Sequence, residues 1–177
     1  MVNHKLIKLD PGLYLVATPL GSARDITLRA LDILASADVL AAEDTRTARK
    51  LMDIHGVPLG GRRIIAYHDH SNTGDRQRLL NHIAEGKSVA YVSEAGTPLI
   101  ADPGYQLVRD ARQADMTVLT APGPAACIAA LTVAGLPTDQ FQFSGFLPPQ
   151  QNARQKRSAV EVEILRNGTD RWADLQL

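Results

Sequence analysis

Five short apolar runs, at residues 13–17, 39–42, 64–67, 89–92 and 116–120, alternate with stretches whose apolar residues recur at helical spacing. Continuous apolar strands are buried on both faces, and the helices between them provide the cover. The pattern therefore predicts an α/β fold, an αβα sandwich with a five-stranded, mostly parallel sheet. A cap at Asp25 precedes a face made by Ile26, Ala30, Ile33, Leu34 and Ala37, and a cap at Thr45 precedes one made by Ala48, Leu51 and Met52. Leu79, Leu80 and Ile83 form a third face closed by Gly86, and Leu107, Val108 and Ala111 a fourth. Beyond these, residues 125–134 read as a small-residue helix ending at Gly135 and Pro137, and 141–146 as a further strand that opens a second αβα domain. The expected division is a flexible N-terminus over 1–12, a first αβα domain over 13–135, and the start of an incomplete second domain with an atypical tail over 136–177.

Three of the turns that follow strands are unusually stiff. The longest is Ser93-Glu94-Ala95-Gly96-Thr97-Pro98-Leu99-Ile100-Ala101-Asp102-Pro103-Gly104; the others are Ala17-Thr18-Pro19-Leu20-Gly21 and Ala121-Pro122-Gly123-Pro124. In an open parallel sheet such loops gather on one edge, where ligands bind. Glycine lets backbone approach a ligand and proline stiffens the turn around it, so the three together point to a preorganised small-molecule crevice. Taken singly, each also reads as an ordinary strand-to-helix turn.

Nineteen basic and nineteen acidic side chains cancel, so the broad positive field expected of a nucleic-acid binder is missing and any RNA must meet a local patch. A single Cys127 excludes an intrachain disulfide framework and fits a reducing compartment; in its apolar helical setting it reads as a small core residue. With no apolar stretch of signal-peptide or membrane-span length, the expectation is a soluble cytoplasmic chain with no membrane contact.

The segments Thr18-Pro19-Leu20-Gly21 with Asp25-Ile26-Thr27, Ala42-Glu43-Asp44-Thr45-Arg46, His68-Asp69-His70, Ser93 to Gly104, Pro122-Gly123-Pro124, and Gly135-Leu136-Pro137-Thr138-Asp139 with Gly145-Phe146-Leu147-Pro148 occur in that order. Together they resemble the tetrapyrrole methylase superfamily, and within it the branch that methylates small-subunit ribosomal RNA. The resemblance implies two αβα domains with S-adenosylmethionine bound between them and a homodimer. It also implies transfer of a methyl group to the ribose 2′-hydroxyl of a cytidine in the decoding region of the rRNA, within the ribosomal subunit. Ser22, Ala23 and Arg24 stand where that branch usually has Asn, Leu and an acidic residue, and Glu94 where it has Asp. The family runs on for about a hundred residues more, so the ending reads as a truncation or frameshift near Arg157. A tetrapyrrole C-methyltransferase and a non-catalytic remnant are the alternative readings.

What the resemblance implies can be carried to residues. A methyl-donor pocket needs backbone amides and carbonyls in stiff turns, which makes Gly96, Thr97, Pro98 and Ala101, with Pro122 and Gly123 opposite, the cofactor-binding candidates. Methyl transfer to a ribose hydroxyl needs alignment and a proton acceptor, and Glu43, Asp44 and Arg46 follow the second strand directly, as catalytic candidates. Equally, Asp44 with Thr45 caps a helix and Arg46 pairs with Asp44. His68 and His70 point to one side of an extended segment but lack further ligands at familiar spacing, so a surface or RNA-facing role stands ahead of a metal site. Arg154, Lys156 and Arg157 form a basic cluster that is either an RNA contact or a solvated linker face.

Overall fold

A computed structural model describes residues 3–157. The chain divides between Ala125 and Ala126 into two compact units. In the first, strands β1 (Gly12–Val16), β2 (Val39–Ala42), β3 (Ile64–Ala66), β4 (Ser88–Val92) and β5 (Val118–Ala121) alternate with helices α1 (Leu28–Ser36), α2 (Thr45–Ile54), α3 (Thr73–Ala84) and α4 (Tyr105–Gln113). The strands form one sheet in the order β3-β2-β4-β1-β5. All four pairings are parallel, with Leu13 opposite both Val89 and Val118, Val39 opposite Val89, and Leu40 opposite Ile64.

Because successive strand residues face opposite sides, the sheet builds two cores. Tyr14, Val16, Leu40, Ala42, Ala90 and Val92 pack with Ala30, Leu31 and Leu34 of α1 and Ala48 and Met52 of α2. Leu13, Ala41, Val89 and Tyr91 pack with Leu79 and Ile83 of α3 and Leu107 and Ala111 of α4. The order explains the division. The chain leaves β1 toward the β3 edge through α1 and α2, then returns toward the β5 edge through α3 and α4. Right-handed crossovers running in opposite directions must lie on opposite faces. Connections from the neighbouring strands β1 and β4 therefore depart to opposite sides, and a crevice opens above their carboxyl ends.

Helix ends are specified locally, with some departures from expectation. Residues 23–25 form a 3-10 turn, so α1 is capped by Thr27, whose side chain accepts from the Ala30 N–H, in place of Asp25. Asp44, in place of Thr45, caps α2, accepting from the N–H groups of Arg46 and Thr47. Asn72 and Asp75 form a reciprocal capping box on α3. Gly56 and Gly86 close α2 and α3 in the left-handed conformation. Asp115 takes the same conformation after α4, and there the Met116 N–H bonds the Ala111 carbonyl and the Asp115 N–H the Arg112 carbonyl. That closure occupies Met116, which is why β5 begins at Val118 rather than at residue 116.

Arg62 closes the other end of α1. Its guanidinium donates to the carbonyls of Leu34 (2.9 Å), Ala37 (2.6 Å), Pro58 (2.8 Å) and Leu59 (2.7 Å), tying the last turn of α1 to the approach to β3. Burial pulls its pKa down. In the opening segment, expected to be flexible, the N–H groups of Lys5 and Ile7 donate to Asp32 and Ser36 on α1.

In the second unit α5 (Ala126–Val133) forms at the expected place, followed by Gly135 at φ 66°. The strand expected at 141–146 does not form. A single strand has no ladder to satisfy its backbone unless another strand lies beside it, and Phe141, Phe143 and Phe146 are exposed.

Candidate functional site

With every strand parallel, the five carboxyl ends lie on one edge of the sheet, and the stiff turns meet there. At the β1–β4 crevice the two loops are sewn together: the Thr18 N–H donates to the Gly96 carbonyl (2.8 Å) and the Gly96 N–H returns to the Thr18 carbonyl (3.1 Å). The Thr18 hydroxyl reaches the Ser93 carbonyl (3.2 Å) and the Ser93 hydroxyl the Gly96 carbonyl (2.9 Å). On the β5 side the Thr97 hydroxyl donates to the Pro124 carbonyl (2.9 Å). A Cβ on Gly123 would stand 2.9 Å from that of Ala17, closer than side chains pack, so glycine is what lets the β5 turn lie against the β1 strand end. Leu99 and Ala101 sit at φ 72° and 56°, conformations that L residues adopt only under constraint.

The cofactor candidates are thus largely brought together. Gly96, Thr97, Pro122 and Gly123 belong to one bonded rim, with Gly96 buried, Thr97 half-buried, and Pro122 and Gly123 exposed. Pro98 is buried beside them in sequence, and Ala101 lies exposed further along the loop.

The catalytic candidates separate. Asp44 is committed to the helix: its carboxylate accepts from two backbone N–H groups and from Arg46 Nη2 at 3.1 Å, which hold its pKa down at about 2. Arg46 is that carboxylate's partner and otherwise almost fully exposed. Glu43 instead reaches across the rim and accepts from the Glu94 N–H (3.0 Å), pinning the start of the long loop to the end of β2.

Asp102 is a group that the sequence reading did not single out. Half-buried, it has a pKa raised to about 6, first by burial, then by the charges of Glu43, Asp69 and Glu94. Tyr91 on β4 is fully buried, stacked edge-on to Tyr67 at 5.7 Å, with no hydrogen-bond partner for its hydroxyl among the described residues. Burial and the same Glu43, Asp102 and Asp69 charges push its ionisation far upward. No local spacing announces Asp102, because Glu43, Asp69 and Glu94 lie just past the ends of three different strands, β2, β3 and β4. A rim of carboxylates suits a ligand that carries positive charge, such as a sulfonium and an ammonium group together.

His68 and His70 are exposed, with ring centres 6.0 Å apart; among the described residues no group of three or more His, Cys, Asp or Glu is placed to hold a metal ion. No helix among those residues is long and apolar enough to cross a membrane. Residues 151–157 are helical, and Arg157 donates to the Ser144 carbonyl.

Comparison with known proteins follows the same lines. Residues 12–169 match the family described as tetrapyrrole (corrin/porphyrin) methylases. A ribosomal RNA small subunit methyltransferase I from Mesorhizobium japonicum is 50% identical over 149 residues, covering 84% of this chain and 50% of the relative. The protein of that name from Vibrio cholerae is 48% identical, covering 88% and 53%, and that from Escherichia coli O157:H7 47% identical, covering 92% and 57%. The chain thus spans about half the length of the curated relatives it matches. Among solved structures, a uroporphyrin-III-C-methyltransferase from Thermus thermophilus superposes with a TM-score of 0.54 at 23% identity, covering 73% of this chain and 54% of that one. A diphthine synthase superposes with a TM-score of 0.57 at 16% identity, covering 73% and 51%. Likeness at that level speaks for the fold.

Proposed function

Since the chain belongs to the tetrapyrrole methylase family, we propose that it carries the donor-side half of an S-adenosylmethionine-dependent rRNA methyltransferase. The acceptor we assign is the 2′-hydroxyl of a cytidine ribose in the decoding region of small-subunit rRNA. The names of the relatives at 47–50% identity support the RNA acceptor. The observation that carries the donor site is the rim itself, in which the β1, β4 and β5 turns are bonded into one frame and edged by carboxylates.

S-adenosylmethionine, when bound, supplies a sulfonium methyl group to an oxygen nucleophile. The residues fit it. Backbone at Gly96, Thr97 and Pro98 forms one wall and Pro122 and Gly123 the other, while the carboxylates complement the cationic sulfur and amine. Rigid walls fix the approach direction, which is the main requirement of an in-line displacement at carbon. Asp102 is the proposed proton acceptor: with a pKa near 6 it is ionised at neutral pH yet more basic than an ordinary carboxylate, the compromise a general base needs. Glu43 acts by position, through the Glu94 N–H, to hold the loop that presents Asp102.

Two measurements test this. Titration calorimetry with S-adenosylmethionine should give a saturable heat; none at millimolar ligand would overturn the donor site and favour the remnant reading. In a methylation assay on undermethylated small subunits at saturating donor, with the chain as the enzyme, Asp102→Asn should lower turnover by about 100-fold or more, since the lost base slows the chemical step itself. Unchanged turnover would remove Asp102 from the chemistry.

A further inference from the structure

Away from the rim lies a groove of 890 Å³, bounded by α2 on one side and by the approach to β3 on the other. Its walls carry Arg46, Arg49, Lys50, Arg62 and Arg63 against the single acid Asp53, in a chain whose formal charges cancel. Arg46, Arg49 and Lys50 fall three and four residues apart and so share one face of α2. That helix starts at the rim, where β2 ends, and runs about 15 Å toward the far edge of the sheet, so its basic row leads away from the candidate site.

These cations differ in availability. Arg62 is engaged with four backbone carbonyls and contributes field only. Arg49 meets Asp53 at 3.3 Å with both side chains more than half exposed, a pairing weak enough to exchange. Lys50 and Arg63 have no hydrogen-bond or ion-pair partner among the described residues. Between them lies apolar surface from Ile54, Leu59 and Ile64, with Ile54 55% exposed. Clustered cations along one groove suit a chain that offers a row of phosphates, and the aliphatic surface between them gives flat base faces something to pack against. Guanidinium groups, the majority here, match phosphate oxygens in paired hydrogen bonds.

We propose that this groove is the track on which a single-stranded segment of the RNA substrate lies while its target ribose reaches the rim. The inference rests on the RNA acceptor assigned above and adds where that RNA is held. The contacts are to phosphate and to base faces, so the groove contributes affinity and register while sequence is read elsewhere.

The test uses the full chain and a fluorescein-labelled single-stranded RNA of about 20 nucleotides, followed by anisotropy between about 50 and 250 mM salt. Replacing Arg49, Lys50 and Arg63 together by Gln should weaken binding at least tenfold at the lower salt. It should also flatten the dependence of log K on log salt by about 2, since each phosphate contact contributes about 0.7. Arg154→Gln with Lys156→Gln should leave both quantities unchanged. The proposal is overturned by a triple variant that binds like the parent chain, by a parent chain that binds no RNA, or by poly-glutamate that displaces the RNA at equal charge concentration. Donor binding is read separately by calorimetry: loss of that heat with the groove effect intact would sink the donor site alone, and the reverse would sink the groove alone.

Discussion

At the residue scale, the informative groups are those whose environment comes from several strands at once. Asp102 ionises less readily in the folded chain than in an unfolded one, where its value is the ordinary 3.8. Between about pH 4 and 6 the folded state therefore holds the extra proton, and the contribution of this group to stability falls as pH rises through that window. Asp102→Asn removes the effect. It should melt above the parent chain at about pH 7.5, with the difference closing below about pH 4; thermal scans showing the same offset at both pH values would contradict the raised pKa. Asp44 has the opposite shift and a structural reason for it, since two helix N–H groups and Arg46 stabilise its ionised form. From the sequence alone these two carboxylates could not be ranked, because one is decided by its immediate neighbours and the other first by tertiary burial and then by charges up to 59 residues away in the chain, from Glu43 to Asp102.

At the element scale, local chemistry was legible and tertiary closure was not. Four of the five strands lie within one residue of the apolar runs that announce them, since a continuous apolar stretch of four or five residues between turn signals has few other uses. Cap residues were harder. Adjacent Asp44 and Thr45 are both competent, and only the course of the backbone selects Asp44. The 141–146 segment shows the limit of reading by pattern, because alternation describes a strand's faces and says nothing of whether a neighbour exists to pair with. Arg62 was invisible for a related reason: nothing near it marks a residue that satisfies carbonyls at the end of a helix 26 positions earlier, at Ser36. Arg62→Ala should leave those carbonyls without their charged donor and cost about 2–3 kcal/mol. Urea denaturation with an unchanged slope and a lower midpoint would bear this out, whereas an unaltered midpoint would mean that water replaces the guanidinium.

At the scale of the whole molecule, the αβα arrangement followed from the alternation of elements, while the order β3-β2-β4-β1-β5 did not, since sequence periodicity carries no information on which strands are neighbours. Order matters because it sets where the crevice opens and which turns border it. The three turns read as stiff in the sequence belong to β1, β4 and β5, the three strands on one side of the sheet, so they converge. The reciprocal pair between Thr18 and Gly96 has an effect on timing. In a border otherwise made of irregular chain, two amide protons are trapped in one closed ring, so neither can swap for solvent deuterium unless both turns let go at once. Their exchange in heavy water should be slow and matched, well behind that of the exposed Ala95 next to Gly96, and should slow again when S-adenosylmethionine is added; unequal rates for the two would mean that the turns move independently.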